Sequence, residues 1–214
     1  MTFRTTIRAL SAAALLAMSV ATANAGVYVG GTPSHVEYDF FSGEAFEADV
    51  YSFVYSGAGA ELPDDPIFPP LNETESLFLY FVHNVGDRGD VDLLGLLNPA
   101  EINPSAVGVS SVAPEGWLEE DRVNPVIYEG SISLVQYQWN DLFSDLLAPG
   151  DWAVLFYRVT GSWQPVDGFV GLGDDLDSHL IPGPAPIPEP TTVGLLLGAL
   201  VALPRMRRRP ALAG

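Results

Sequence analysis

The apolar run at residues 76–85 constrains the fold of this chain more than any other stretch. It reads SLFLYFVHNV, with apolar side chains at consecutive rather than alternate positions. Such a pattern is typical of a strand that is buried on both of its faces. We therefore expect this run to be a central strand of a β-sandwich.

Other stretches also have strand composition and period. Residues 152–160 (WAVLFYRVT) are aromatic and β-branched, and residues 45–52 and 131–139 alternate. Weaker strand patterns occur at residues 27–30, 35–40, 91–97, 107–112 and 168–172. Turns rich in Gly, Pro, Asn and Asp separate these runs, and one short helix is expected at residues 140–147. Eight or nine strands at this spacing predict an all-β fold, an antiparallel β-sandwich of immunoglobulin-like or jelly-roll type.

Charge is divided unevenly along the chain. Residues 26–189 contain all 27 acidic residues and three arginines, a formal charge of −24, and the chain has no lysine. A surface of this sign repels nucleic-acid phosphates and attracts cations, so nucleic-acid binding is excluded for the body. The absence of cysteine excludes disulfides, thiol catalysis and zinc–thiolate sites.

The first 25 residues have the three parts of a secretory signal peptide in order. Arg4 and Arg8 form the positive region, and residues 9–20 form the apolar region. Ala23 and Ala25 then provide the small residues of a cleavage site, with Gly26 as the expected mature start. The pattern predicts export across a cytoplasmic membrane.

The C-terminal end combines prolines, an apolar run and arginines. Prolines alternate through residues 181–190, which predicts a stiff linker at 181–187, and the domain is expected to span residues 26–180. The apolar run at 193–203 predicts a short helix that reaches about 16–20 Å, less than the ~30 Å hydrocarbon core. Such a helix suits a transient membrane address held on the cytoplasmic side by arginines.

This tail, at residues 188–214, resembles the PEP-CTERM sorting domain of exopolysaccharide-producing Gram-negative bacteria. The resemblance rests on three parts in fixed order: a Pro-Glu-Pro triplet, an apolar run and an arginine-rich end. The residues that carry the signal are Pro188, Glu189, Pro190, Arg205, Arg207, Arg208 and Arg209. The resemblance implies transient membrane insertion, recognition by the membrane protease-transferase exosortase, and delivery to the cell surface or extracellular matrix.

The body resembles, more loosely, the immunoglobulin-like domains of bacterial surface proteins. A strand leads into Asn84-x-Gly86 and a second strand, and Leu147-x-Pro149-Gly150 later leads into another. This resemblance implies the same sandwich fold. The sequence shows no internal repeat, so one copy is expected.

Two acidic turns are candidate cation sites. The first contains Asp87, Asp90 and Asp92, and the second contains Asp174, Asp175 and Asp177. Calcium takes six to eight oxygen ligands, and such turns can supply three or four of them. Calcium is therefore the one cofactor that the sequence suggests, and the alternative is a pair of acidic turns at sheet ends.

Two loop tryptophans are candidates for stacking on sugar rings. Trp117 follows Pro-Glu-Gly and Trp163 follows Gly-Ser, whereas Trp139 and Trp152 lie in strand patterns and are expected in the core. The alternative is that the loop tryptophans plug the ends of the sandwich.

Enzyme signatures are missing from the sequence. It has no G-x-S-x-G or H-E-x-x-H motif, and its three histidines are far apart. We therefore expect a non-catalytic exported protein with a structural or adhesive role in exopolysaccharide or biofilm, with exopolysaccharide as its partner. The alternatives are a carbohydrate-binding module and a small polysaccharide-active enzyme with a convergent acid pair.

Overall fold

The computed structural model describes residues 27–97, 105–130, 134–140 and 145–186. The predicted signal-peptide site and sorting tail lie outside these residues, so both stay predictions. They comprise Ala23, Ala25, Gly26, Pro188, Glu189, Pro190, Arg205, Arg207, Arg208 and Arg209.

The described residues form ten strands and one turn of 3-10 helix at Glu119–Asp121. The strands are β1 (His35–Ser42), β2 (Glu47–Ser56), β3 (Glu75–Asn84), β4 (Leu93–Leu97), β5 (Ala106–Val109), β6 (Ile127–Gly130), β7 (Leu134–Gln138), β8 (Trp152–Thr160), β9 (Trp163–Leu172) and β10 (Asp175–Pro184).

The strands form two antiparallel sheets of five. Sheet A has the order β1-β2-β3-β8-β5, and sheet B has the order β10-β9-β4-β7-β6. Every strand pair within the two sheets is antiparallel. The predicted all-β, antiparallel sandwich is therefore confirmed.

Strand β3 is the centre of sheet A, as the run at residues 76–85 predicted. Its even-numbered side chains, such as Phe78 and Tyr80, pack between the sheets in the main core. Its odd-numbered side chains, such as Leu79 and Phe81, pack in a second core on the outer face of sheet A. Burial on both faces explains why apolar residues are consecutive in this strand.

Irregular segments cover that outer face and form a third layer. Val29 comes from the segment before β1, and Phe68 comes from the β2–β3 connection and packs edge-on against Phe156 of β8, with ring centroids 5.2 Å apart. Asp65 fixes this layer, because its carboxylate accepts hydrogen bonds from the hydroxyls of Ser110 and Ser111 at 2.7 and 3.0 Å. We name the segment before β1, the β2–β3 connection and the segment that follows β5 the outer layer.

Strand β10 extends into the stretch expected to be a linker. It pairs with β9 through Pro184, and Ile181 is fully buried in the main core. Ala185 N donates to Ser162 O at 2.8 Å, so the odd-numbered residues of this segment bond to the neighbouring strand. Pro182 and Pro184 occupy the even-numbered positions, whose nitrogens point to the open edge of the sheet. Proline is compatible with an edge strand for this reason, and the folded domain continues beyond residue 180.

Three local expectations differ from the structure. Residues 27–30 are irregular, although Val29 is buried. The predicted helix at 140–147 does not extend to its end, where Leu147 forms a β-bridge with Val91, while residues 141–144 lie outside the description. Strand β6 was not expected, because its residues IYEG are mostly exposed and lack a strong period.

Candidate functional site

Trp163 lines a cleft at one end of the sandwich. The cleft has a volume of about 480 Å³ and is lined by the β2–β3 and β8–β9 turns, including Glu73, Thr74 and Ser162. The indole of Trp163 stacks on the imidazole of His35, with ring centroids 4.1 Å apart and planes 24° apart. The predicted aromatic thus lies in a concave site with hydroxyl and carboxylate neighbours.

The inner wall of this cleft is held by polar contacts. Ser76 Oγ donates to Gly161 O at 2.7 Å, and Arg158 Nη2 donates to Glu75 Oε2 at 2.6 Å. The bond from Arg158 lowers the pKa of the Glu75 carboxyl below its ordinary value. Glu75 is therefore a structural carboxylate, and Glu73 supplies the exposed acidic group of the cleft.

Trp117 lies elsewhere and is half-buried. Its ring packs against His83 and Phe81, with centroid distances of 4.3 and 5.2 Å, and near Trp152, the first residue of β8, at 6.4 Å. Trp163 follows the opposite end of β8, so the structure does not bring the two candidates together. Trp117 covers the outer core, and Trp139 and Trp152 are buried as expected.

Aromatic residues that the sequence analysis did not select are exposed on sheet A. Tyr38 of β1 lies directly opposite Tyr51 of β2, with ring centroids 4.9 Å apart, and Phe40 lies opposite Asp49. The Tyr38 hydroxyl donates to Asp49 Oδ1 at 2.8 Å. We name the surface formed by Val36, Tyr38, Phe40, Asp49 and Tyr51 the aromatic strip.

The signal for this strip was present but ambiguous. Val36, Tyr38 and Phe40 alternate with polar residues, a pattern that normally marks the core face of a strand. The structure instead turns Phe41 into the main core and leaves the alternating residues outward. The adjacent pair Phe40 and Phe41 shows that both faces carry apolar side chains.

The two acidic turns lie close together, because Asp92 Oδ2 accepts from Gly173 N at 2.9 Å. Asp175 Oδ2 accepts from Ala45 N, and Asp177 Oδ2 accepts from Ser42 N, each at 2.9 Å. These carboxylates thus hold the β1–β2 and β9–β10 hairpins together. Within the described residues, no group of three or more acidic or histidine side chains is arranged to hold a metal ion. Calcium binding by Asp87, Asp90, Asp92, Asp174, Asp175 and Asp177 stays a prediction.

The three histidines occupy separate places. His35 stacks on Trp163, and His83 contacts Trp117. His179 lies 3.1 Å from Asp177 Oδ2 and packs edge-on against Phe41. Burial lowers the pKa of His83, which keeps its imidazole neutral at neutral pH.

Comparisons with protein-family models, curated proteins and solved structures gave no match for this chain. In the part of the chain that the structure describes, no helix combines the length and apolar character needed to cross a bilayer. The function is therefore inferred from the residues and geometry of the chain itself.

Proposed function

We propose that this chain is an exported, non-catalytic protein with a structural or adhesive role in an exopolysaccharide matrix or biofilm. The observation that carries the proposal is the use of acidic side chains as internal braces. Asp65, Asp92 and Asp175 each accept hydrogen bonds from backbone amides of distant segments. Carboxylates used in this way maintain a rigid body, and the remaining acids give it a strongly negative surface.

The C-terminal tail directs this body in the proposal. The likeness of residues 188–214 to PEP-CTERM domains supports transient insertion in the inner membrane, handling by exosortase and release at the cell surface. Strand β10 ends at Pro184, four residues before Pro188. This short spacing in the sequence supports a processing point close to the end of the folded domain. The immunoglobulin-like or jelly-roll type of the sandwich is part of the same proposal.

Mass spectrometry of the protein recovered from the matrix of its own host tests this proposal. We expect a mature N-terminus at Gly26 and a C-terminus near Pro188-Glu189-Pro190. A Glu189→Ala variant should stay in the cell envelope with an intact tail, whereas an Asp167→Asn variant should be released normally. Recovery of the protein only in the cytoplasm would refute the proposal.

A carbohydrate-binding module is the second candidate, and the Trp163 cleft favours it. Its volume of about 480 Å³ lies within the range of about 300–1,000 Å³ common for ligand pockets. An indole ring beside hydroxyls and a carboxylate suits a sugar, which presents C–H faces and polar edges. A glycan array probed with the secreted protein and with a Glu73→Gln variant tests this candidate. Binding of a glycan that the variant weakens would assign the glycan to the Trp163 cleft.

A further inference from the structure

The outer layer leaves part of sheet A uncovered. It packs over β2, β3 and β8, but three apolar side chains of the edge strand β1 remain in solvent. Val36, Tyr38 and Phe40 are 48%, 45% and 42% exposed. Three large apolar residues side by side on one strand form a contiguous surface, which often marks an interaction site.

The aromatic strip has one acidic group at its Phe40 end, and the rings of Tyr38 and Tyr51 are tilted by 43° to each other. The β1–β2 register sets Tyr38 beside Tyr51 and Phe40 beside Asp49. The hydrogen bond from the Tyr38 hydroxyl fixes the Asp49 carboxylate beside the Tyr38 ring. Exposed aromatic rings suit the C–H faces of a sugar chain, and a fixed carboxylate suits a cationic substituent.

Among the described residues, no arginine pairs with Asp49. Each of the three described arginines pairs with another acid: Arg88 with Glu47, Arg122 with Glu119 and Arg158 with Glu75. His83 lies opposite Asp49 in the β2–β3 register, and burial lowers the pKa of its imidazole, which disfavours the charged form. Asp49 therefore adds a local negative charge to a body whose formal charge is −24 between residues 26 and 189.

We propose that the aromatic strip binds a cationic polysaccharide, one whose sugar units carry free amino groups. The rings of Tyr38, Phe40 and Tyr51 stack on the sugar faces, and Asp49 pairs with an ammonium group. This inference rests on the proposed matrix role and names the polymer that the protein meets there. Charge complementarity selects this occupant, because a uronate polymer or a second copy of the chain is repelled by the acidic body.

Calorimetric titration of the secreted protein with glucosamine oligomers at mildly acidic pH tests the inference. Fully N-acetylated oligomers and a polyuronate serve as comparison ligands. We expect binding of the amine form only, and a weakening as added salt shortens the screening length to below about 10 Å. Equal affinity for the acetylated oligomer, or no binding of the amine form, would overturn the inference.

Substitutions locate the site. Tyr38→Ala should weaken binding about tenfold and Asp49→Asn about fivefold. The matched controls are Tyr128→Ala, an exposed tyrosine on β6, and Asp167→Asn, an exposed aspartate on β9. Phe40→Ala is a second ring variant should Tyr38→Ala fold poorly. Strip variants that bind like the wild-type protein, or losses in the controls of the same size, would exclude the strip.

This experiment separates the two proposals. A protein that is processed and released normally but does not bind the amine oligomers contradicts the strip and leaves the matrix role standing. A protein that never leaves the cell contradicts the matrix role, whatever it binds in solution. Weakening by Glu73→Gln with intact binding by the strip variants would assign the sugar to the Trp163 cleft and overturn the strip.

Discussion

Tyr80, in the central strand of sheet A, donates its hydroxyl to the carbonyl oxygen of Pro182, in β10 of sheet B, at 2.7 Å. Both residues are buried, so water cannot replace either partner. The bond joins the centre of one sheet directly to the edge strand of the other. It also satisfies a polar group in each sheet that burial would otherwise leave without a partner.

Replacement of this tyrosine tests the bond. Tyr80→Phe keeps the ring but leaves the Pro182 carbonyl unpaired, so we expect the free energy of unfolding to fall by about 1–3 kcal/mol. Urea denaturation followed by tryptophan fluorescence measures the change. Tyr128→Phe, at an exposed position, is the control, and equal midpoints for the two variants would show that the bond contributes nothing.

Alkaline pH should unfold the protein cooperatively. Burial raises the pKa of Tyr80 and Tyr137 well above the ordinary value of 10.0. Because the folded state favours the protonated ring, the stabilisation is complete below pH 10 and is lost as the pH rises beyond it. We expect tyrosinate absorbance from these residues to appear together with loss of the β-sheet circular dichroism signal. Smooth titration of every tyrosine near pH 10 with the fold intact would contradict this.

Protonation of Asp65 at acid pH should lower the free energy of unfolding. Burial favours a raised pKa, but hydrogen bonds from Ile67, Ser110 and Ser111 outweigh it, so the pKa is lowered from 3.8. The carboxylate therefore stabilises the fold above pH 3.8, and this contribution is lost as the pH falls through the lowered pKa of Asp65. We expect Asp65→Asn to cost about 1–3 kcal/mol at neutral pH and less in acid.

Denaturation midpoints at two pH values measure this difference. Asp64→Asn, an exposed neighbour, provides the matched control and should change the midpoint little at either pH. A cost for Asp65→Asn that is the same in acid as at neutral pH would show that its charge has no part in holding the outer layer.

A substitution at Asp175 distinguishes a structural role of its carboxylate from a role in calcium binding. Its carboxylate accepts from Ala45 N, so Asp175→Asn should lower the melting temperature of the protein whether calcium or a chelator is present. Thermal denaturation of wild-type and variant protein in both conditions provides the measurement. A calcium-dependent rise in the wild-type melting temperature that the variant lacks would instead assign the turn a metal.

Much of the fold was predictable, because the central strands carry strong local signals. The run at 152–160 matches β8, and the doubly buried run at 76–85 matches β3 to within one residue at each end. Strand β10 was not predicted, because proline has no N–H to donate to a neighbouring strand and alternate prolines therefore argue against a strand. Only the pairing with β9 shows that the proline nitrogens face the open edge of the sheet.

The candidate sites were less predictable, since they depend on contacts between distant segments. Trp117 and Trp163 look alike in sequence, yet one packs on Phe81 and the other lines a cleft. The exposure of Tyr38 depends on where the outer layer stops, and that boundary is set by packing rather than by local period.

Strand β10 has a mechanical consequence, because the chain leaves the described body directly after it, at Ala185 and Pro186. A pulling force applied at Pro186 enters the sandwich through this strand, as far as the described residues go. Its ten residues, paired with β9 along their whole length, would share the load, and the Tyr80–Pro182 bond would pass it to the opposite sheet. Strand β10 therefore sets the resistance of the described domain to mechanical unfolding from this end.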